Sequence, residues 1–142
     1  MKVNTKFFGE IEISEKDIIT FDQPVLGFEE KKRYVFMMDD SLNGEFIWLQ
    51  SIDDSALCFV LANPSTLNEN YAPTFAEEIS TVIGNGTYEM WLVMVVADNF
   101  GESTVNLKSP IIVNLDERRA AQMIAEEDYT IRYRLFENVK ED

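Results

Sequence analysis

Two apolar runs joined by a short acidic turn dominate the hydrophobic pattern of this chain: Phe46 to Gln50 and Leu57 to Leu61. Along the first run Phe46 and Trp48 fall on one side and Ile47 and Leu49 on the other; along the second, Cys58 and Val60 oppose Leu57, Phe59 and Leu61. A strand that is apolar on both sides is covered on both sides. Between the runs, Ser51 to Ser55 carries short polar side chains that bond nearby backbone groups and favour a turn. The pattern predicts a central hairpin over Phe46 to Pro64.

The remaining segments predict mostly strands. Phe7 to Ser14 alternates in its second half, Ile11 and Ile13 against Glu10, Glu12 and Ser14, as a half-buried edge or outer strand does. Ile18 to Phe21 is a short extended piece, and Pro24 makes Asp22 to Gly27 a loop. Tyr34 to Met38 is a strand, and Asn43-Gly44 after it is a hairpin signal, because both residues tolerate positive φ. Asp39, Ser41, Asn43 and Gly44 also fall at the spacing of a calcium loop, but Gln50 stands where the bidentate Glu is required and strands replace the flanking helices. Ala76 to Ile83, stopped by Gly84, is the best helix. Met90 to Ala97 is a second strand buried on both sides, too short to cross a bilayer. Asp98 to Gly101 turns the chain, and Pro110 demands an edge, bulge or break in the extended stretch that follows. Propensity alone favours a helix over Asp116 to Glu127. Tyr129 to Phe136 alternates as a last strand with Arg132 and Arg134 on its polar face, and Glu137 to Asp142 is expected to fray.

Charge narrows the partners. The chain has 142 residues, 26 acidic against 12 basic, for a net charge of −14. Phosphates are repelled and a basic partner is steered in, so no direct nucleic-acid ligand is expected. Histidine is absent, which removes the usual base for a Ser or Cys nucleophile and the commonest metal ligand. Neither a catalytic site, a metal site nor a cofactor is expected. Cys58 has no second cysteine to pair with and reads as a small buried hydrophobe. The first residues lack the apolar core of a secretory signal and no stretch approaches a membrane span, which points to the cytoplasm.

Several segments resemble the FliW family of flagellar assembly factors. Ile18-Ile19-Thr20-Phe21 followed by Gly27-Phe28-Glu29 is similar to its opening, although Pro24 and Leu26 replace a glycine and a proline of the family's turn. Leu49-Gln50-Ser51, then Phe59 through Pro64 and Tyr71, resemble a second block. Val105 to Asn114, VNLKSPIIVN, resembles the family signature most closely, and Ala121-Gln122-Met123-Ile124 follows at the family's spacing. The resemblance implies a strand, not a helix, over Ala120 to Ala125. With eight or nine strands and one short helix, the expected fold is a mainly β, antiparallel, barrel-like single domain over residues 1–142.

The resemblance further implies a non-enzymatic, monomeric cytoplasmic module with two alternating partners: newly made flagellin and the basic RNA-binding regulator CsrA. Asp53 and Asp54 at the hairpin tip and Asn106, Lys108 and Pro110 in the signature are the expected contact residues. Two other classes remain open from the residues alone: a carboxylate-dependent hydrolase on a small β-barrel, and an unrelated acidic inhibitor of a basic protein. A pocket holding two close carboxylates, one of them raised, would favour the hydrolase.

Overall fold

The two apolar runs pair as expected. In the computed structural model, which describes residues 1–67 and 70–136, β5 (Phe46–Ser51) and β6 (Cys58–Ala62) form an antiparallel hairpin in register from Phe46 opposite Ala62 to Gln50 opposite Cys58. On one side of β5 lies β4 (Arg33–Met37), then β3 (Ile19–Gln23), β10 (Arg119–Gln122) and β9 (Ile111–Asn114); on the other side of β6 lies β7 (Tyr88–Val95). β7 closes the ring. Its first half, Tyr88 to Trp91, pairs with β9, and its second half, Met94 and Val95, pairs with β8 (Thr104–Val105), which carries β11 (Tyr133–Arg134) as a flap. The β3–β10 pair is parallel and the other pairs in the ring are antiparallel.

Alternation sorts the side chains into an inside and an outside. Ile19, Phe21, Tyr34, Ile47, Leu49, Leu61, Trp91, Ile111 and Val113 fill the barrel. Each fully buried aliphatic among them stabilises the fold by about 1.5–3 kcal/mol. The opposite face is covered in three patches. The ribbon of β1 (Lys2–Asn4) and β2 (Glu10–Glu12) lays Val3, Ile11 and Ile13 on Val35 and Met37. The short helix α1 (Ile79–Ile83) sets Ile79, Val82 and Ile83 over Ile112, Ala121 and Met123. The flap covers Ala62, Leu92 and Met94 with Val105, Leu107 and Leu135. Between ribbon and flap the outer face of β5, β6 and β7 is only half covered.

Several boundaries differ from the sequence reading, and each has a physical cause. β3 continues through Gln23, because Asp22 pairs with Arg119 at 2.8 Å and Gln23 lies opposite Ala121. Both Asn43 and Gly44 have positive φ, 54° and 78°, but they end a longer loop containing a 3-10 turn over Asp40–Leu42. The helix starts at Ile79, with Glu78 extended at its N-cap and Glu77 accepting a bond from Gln23. β7 begins at Tyr88, and at its far end Val95 and the following Val96, which point to opposite sides, are both exposed, so neither side is covered there. Ala120 to Ala125 is a strand only through Gln122, with Ala125 in an isolated bridge to Phe75. Of Tyr129 to Phe136, only Tyr133 and Arg134 pair. The described residues hold eleven strands where eight or nine were expected, and β1 is one that the expectation lacked. The fraying expected of Glu137 to Asp142 lies outside the described residues.

One interior group is unmatched. The Tyr34 hydroxyl is buried and has no partner among the described residues, and burial, reinforced by the nearby charges of Asp53 and Asp54, pushes its phenol up to about 12. An orphaned buried hydroxyl costs stability that its removal restores. Tyr34→Phe is therefore expected to raise the unfolding free energy by about 1 kcal/mol, read from urea denaturation. A lower midpoint would show that the hydroxyl is satisfied after all.

Candidate partner-binding surface

The tip of the β5–β6 hairpin is built from within. Gln50, fully buried, donates to the carbonyls of Ser51, Ser55 and Leu57 at 3.0, 3.2 and 3.2 Å, while its Oε1 accepts from the Lys6 amide at 3.0 Å. The polar residue in the apolar strand has thus found buried partners, and they are the turn itself. At the tip Asp53 faces solvent and accepts from the Arg33 guanidinium at 2.5 Å, which holds the arginine above its ordinary range. Asp54 accepts from the Ala56 amide at 3.0 Å. An exposed pair of this kind contributes little stability, so its acid remains open to exchange partners.

The signature segment is more deeply engaged. Asn106 Oδ1 accepts from the amides of Lys108 and Ser109 at 2.9 and 3.0 Å, closing a turn before β9. The Lys108 ammonium donates to the Glu127 carbonyl at 2.7 Å, and Pro110 is buried where the strand breaks, as its missing N–H requires. Tyr71 donates its hydroxyl to the Leu107 carbonyl at 2.6 Å and packs on Tyr129 at 4.8 Å. Asn106, Lys108 and Pro110 accordingly position backbone, whereas Asp53 is the expected contact residue that stands exposed. The tip and the signature meet indirectly: Phe59 at the base of the tip packs edge-on against Phe28 at 5.2 Å, and the Leu26 amide in that same loop reaches Gln122, which donates to Ser109.

An almost wholly apolar surface is left open in the gap between ribbon and flap. Leu42, Phe46, Trp48, Val60, Met94, Val96 and Phe100 line a groove of about 250 Å³. Phe8 stands edge-on to Trp48 at 5.1 Å on one bank, and Phe100, 51% exposed, leans on Phe136 at 5.0 Å on the other. Sequence reasoning placed Phe46, Trp48, Val60, Met94 and Val96 in strands covered on both sides, Leu42 and Phe100 in turns, and Phe8 in an edge or outer strand. The available signal was the second apolar side of the hairpin, Phe46, Trp48 and Val60, for which no covering element had been named.

Acid–base chemistry finds no support in the carboxylates. Asp17, Glu29, Asp39 and Glu127 are shifted, and each lies below its ordinary range because backbone or hydroxyl donors hold the ionised form: Ser14 on Asp17, Gly27 on Glu29, Ser41 on Asp39 and Thr74 on Glu127. A general acid requires the opposite shift. Burial raises the half-buried Cys58 thiol to about 11, which disfavours the thiolate. Among the described residues no cluster of three or more Cys, Asp or Glu side chains is arranged to hold a metal ion, and no helix is long and apolar enough to cross a membrane.

The family described as FliW protein matches residues 2–135 of this sequence. The chain belongs to the FliW family. It is 36% identical over 149 residues to the flagellar assembly factor FliW of Lachnospira eligens, covering 100% of this chain and 99% of that protein. It is 37% identical over 142 residues to that of Syntrophus aciditrophicus, covering 97% and 89%. A crystal structure of the flagellar assembly factor FliW superposes with a TM-score of 0.84 at 35% identity, covering 96% of this chain and 97% of that one. The closed barrel-like fold is shared with that FliW structure, and in this chain the signature string runs from the end of β8 through β9. The departure from the FliW pattern at Pro24 and Leu26 still yields a tight turn, in which the Phe28 amide donates to the Val25 carbonyl at 2.9 Å and Gly27, at φ +90°, takes the position that only glycine adopts without strain.

Proposed function

We propose that this chain is a non-enzymatic partner switch of the cytoplasm, holding newly made flagellin and, when flagellin is exported, binding CsrA so that flagellin messenger RNA is released for translation. The observation that supports this reading is the placing of two unlike surfaces on one hairpin. Trp48 and Val60 line an open apolar groove, while Asp53 and Asp54 form its acidic tip a few residues away. An amphipathic helical end of flagellin fits a groove by its apolar side. A basic regulator is drawn to an acid-rich end, where charge speeds encounter more than it sets affinity. Alternation demands that each partner lower the affinity for the other by the same factor, and a shared hairpin provides a short physical route.

Paired charge and groove variants test the reading. Asp53→Lys with Asp54→Lys is expected to weaken CsrA binding at low salt and to leave flagellin binding unchanged. Val96→Asp with Phe100→Asp is expected to weaken flagellin binding by roughly tenfold or more, since apolar anchors in a groove carry most of the affinity. Calorimetry with each partner, alone and after saturation with the other, decides. Simultaneous binding without penalty, or consumption of a substrate by the chain, would overturn the assignment.

A further inference from the structure

The parallel pairing of β3 with β10 sends two chain segments out of the barrel side by side. Beyond Gln23 the first carries Leu26, and beyond Gln122 the second carries Ile124; each side chain is 57% exposed. Gln122, only 7% exposed, ties their bases together: its Oε1 accepts from the Leu26 amide at 2.7 Å and its Nε2 donates to the Ser109 carbonyl at 3.0 Å. Ile124 is pinned on both flanks, because the amides of Met123 and Ala125 donate to the carbonyls of Pro110 and Lys108 at 3.0 and 2.8 Å. Leu26 is fixed in the Gly27 turn. Phe28, 40% exposed, continues the apolar surface toward Phe59 and the hairpin tip, and a hollow of about 190 Å³ lined by Gln23, Phe75, Glu77 and Met123 opens beside Ile124.

These are aliphatic side chains held out to solvent by hydrogen bonds of the flanking backbone and of the buried Gln122. A preorganised anchor loses little entropy when it is covered, which is the property of a binding hot spot. The surrounding charge names the occupant. Residues 22–32, 76–78 and 122–128 carry eight carboxylates against Lys31 and Lys32. Of these, Asp22 is engaged by Arg119, and Glu127 lies beside the Lys108 ammonium. Such a rim repels nucleic acid and anionic lipid and favours a protein surface in which an apolar side chain stands among Lys and Arg.

We propose that Leu26 and Ile124 form the apolar anchor for the basic partner, with the acidic tip steering its approach from the same end of the barrel. The inference rests on the reading that the chain binds a basic protein, and it assigns the signature a positioning role: Lys108 and Pro110 present Ile124 through their carbonyls. Approach and retention are then separate properties of separate residues.

The test is Leu26→Ser with Ile124→Ser, probed with CsrA by stopped-flow association and dissociation. Because both side chains are exposed, the melting temperature is expected to be unchanged, which establishes that the variant is folded. Dissociation is expected to accelerate by roughly tenfold or more, with the association rate and its salt dependence retained. A change of less than about twofold in dissociation rate, well under a hot-spot effect, would overturn the anchor while leaving the switch standing. Failure of the unaltered chain to bind CsrA would overturn both. Self-association of the unaltered chain that the same two substitutions abolish would give this ledge to a second copy and overturn the proposal as well.

Discussion

Replacing Asn114 with alanine is expected to lower the unfolding free energy by about 3 kcal/mol, among the largest losses for any polar position in the chain. The residue is fully buried and its carboxamide is saturated. Oδ1 accepts from the amides of Asp116 and Glu117 at 3.0 Å each, and Nδ2 donates to the carbonyls of Ile83 and Asn85 at 2.8 and 3.1 Å. One side chain therefore locks the end of α1 to the β9–β10 turn, at the point where β7 and β9 close the ring. Truncation leaves four backbone groups without partners, at least one of them, the Ile83 carbonyl, out of reach of solvent. Gly86 shows how tight the arrangement is, for a Cβ there would run into the Asn114 carboxamide and come within 2.9 Å of the Asp116 carboxylate. Urea denaturation measures the loss. A value under about 1 kcal/mol would mean that water replaces the amide at little cost.

Gln50→Leu is expected to cost about 2 kcal/mol, a smaller loss with a wider local consequence. A leucine of similar size keeps the packing beside Leu49 and Ser51 but removes the bonds to three tip carbonyls and to the Lys6 amide. The tip would keep the buried Ser51 hydroxyl, which accepts from the Asp54 amide at 3.0 Å, and the exposed Arg33–Asp53 pair. Hydrogen exchange separates local from global effects: the Lys6 amide and those of residues 52–56 are expected to exchange faster while the amides of β5 and β6 remain protected. Unchanged exchange at Lys6 would show that this bond is not what joins the ribbon to the hairpin.

The sequence made the barrel legible where one pattern dominated. The β5–β6 hairpin was written in its alternation, and Pro110 placed the break before β9 by removing a donor. Elsewhere, the deciding contacts lay far along the chain. Asp116 to Glu127 has helical composition, yet Arg119 to Gln122 is claimed by β9 on one side and β3 on the other, and paired burial outweighs a propensity difference of a few tenths of a kcal/mol per residue. β1 is only three residues long and exists because the terminal ammonium and Val3 find Glu12, Ile13 and Val35. The exposed apolar surfaces were the least legible. An apolar Trp48 or Ile124 reads as core until the structure shows which faces ribbon, helix and flap leave open, whereas the acids at the tip announced themselves by turn chemistry. Asn106, Lys108 and Pro110 stood out only through the resemblance of their segment to the FliW signature, and in the structure their bonds hold backbone in place.

The parallel β3–β10 seam has a consequence for how the molecule is made. Residues 19–23 leave the ribosome about a hundred positions before 119–122 can meet them, and β7 waits for residues 111–114 to cover its first half. Throughout that interval the nascent chain presents two unpaired strand edges, so the ring is sealed only once residues 111–122 have been made, and a chain cut short before Ile111 would be sticky rather than merely inactive.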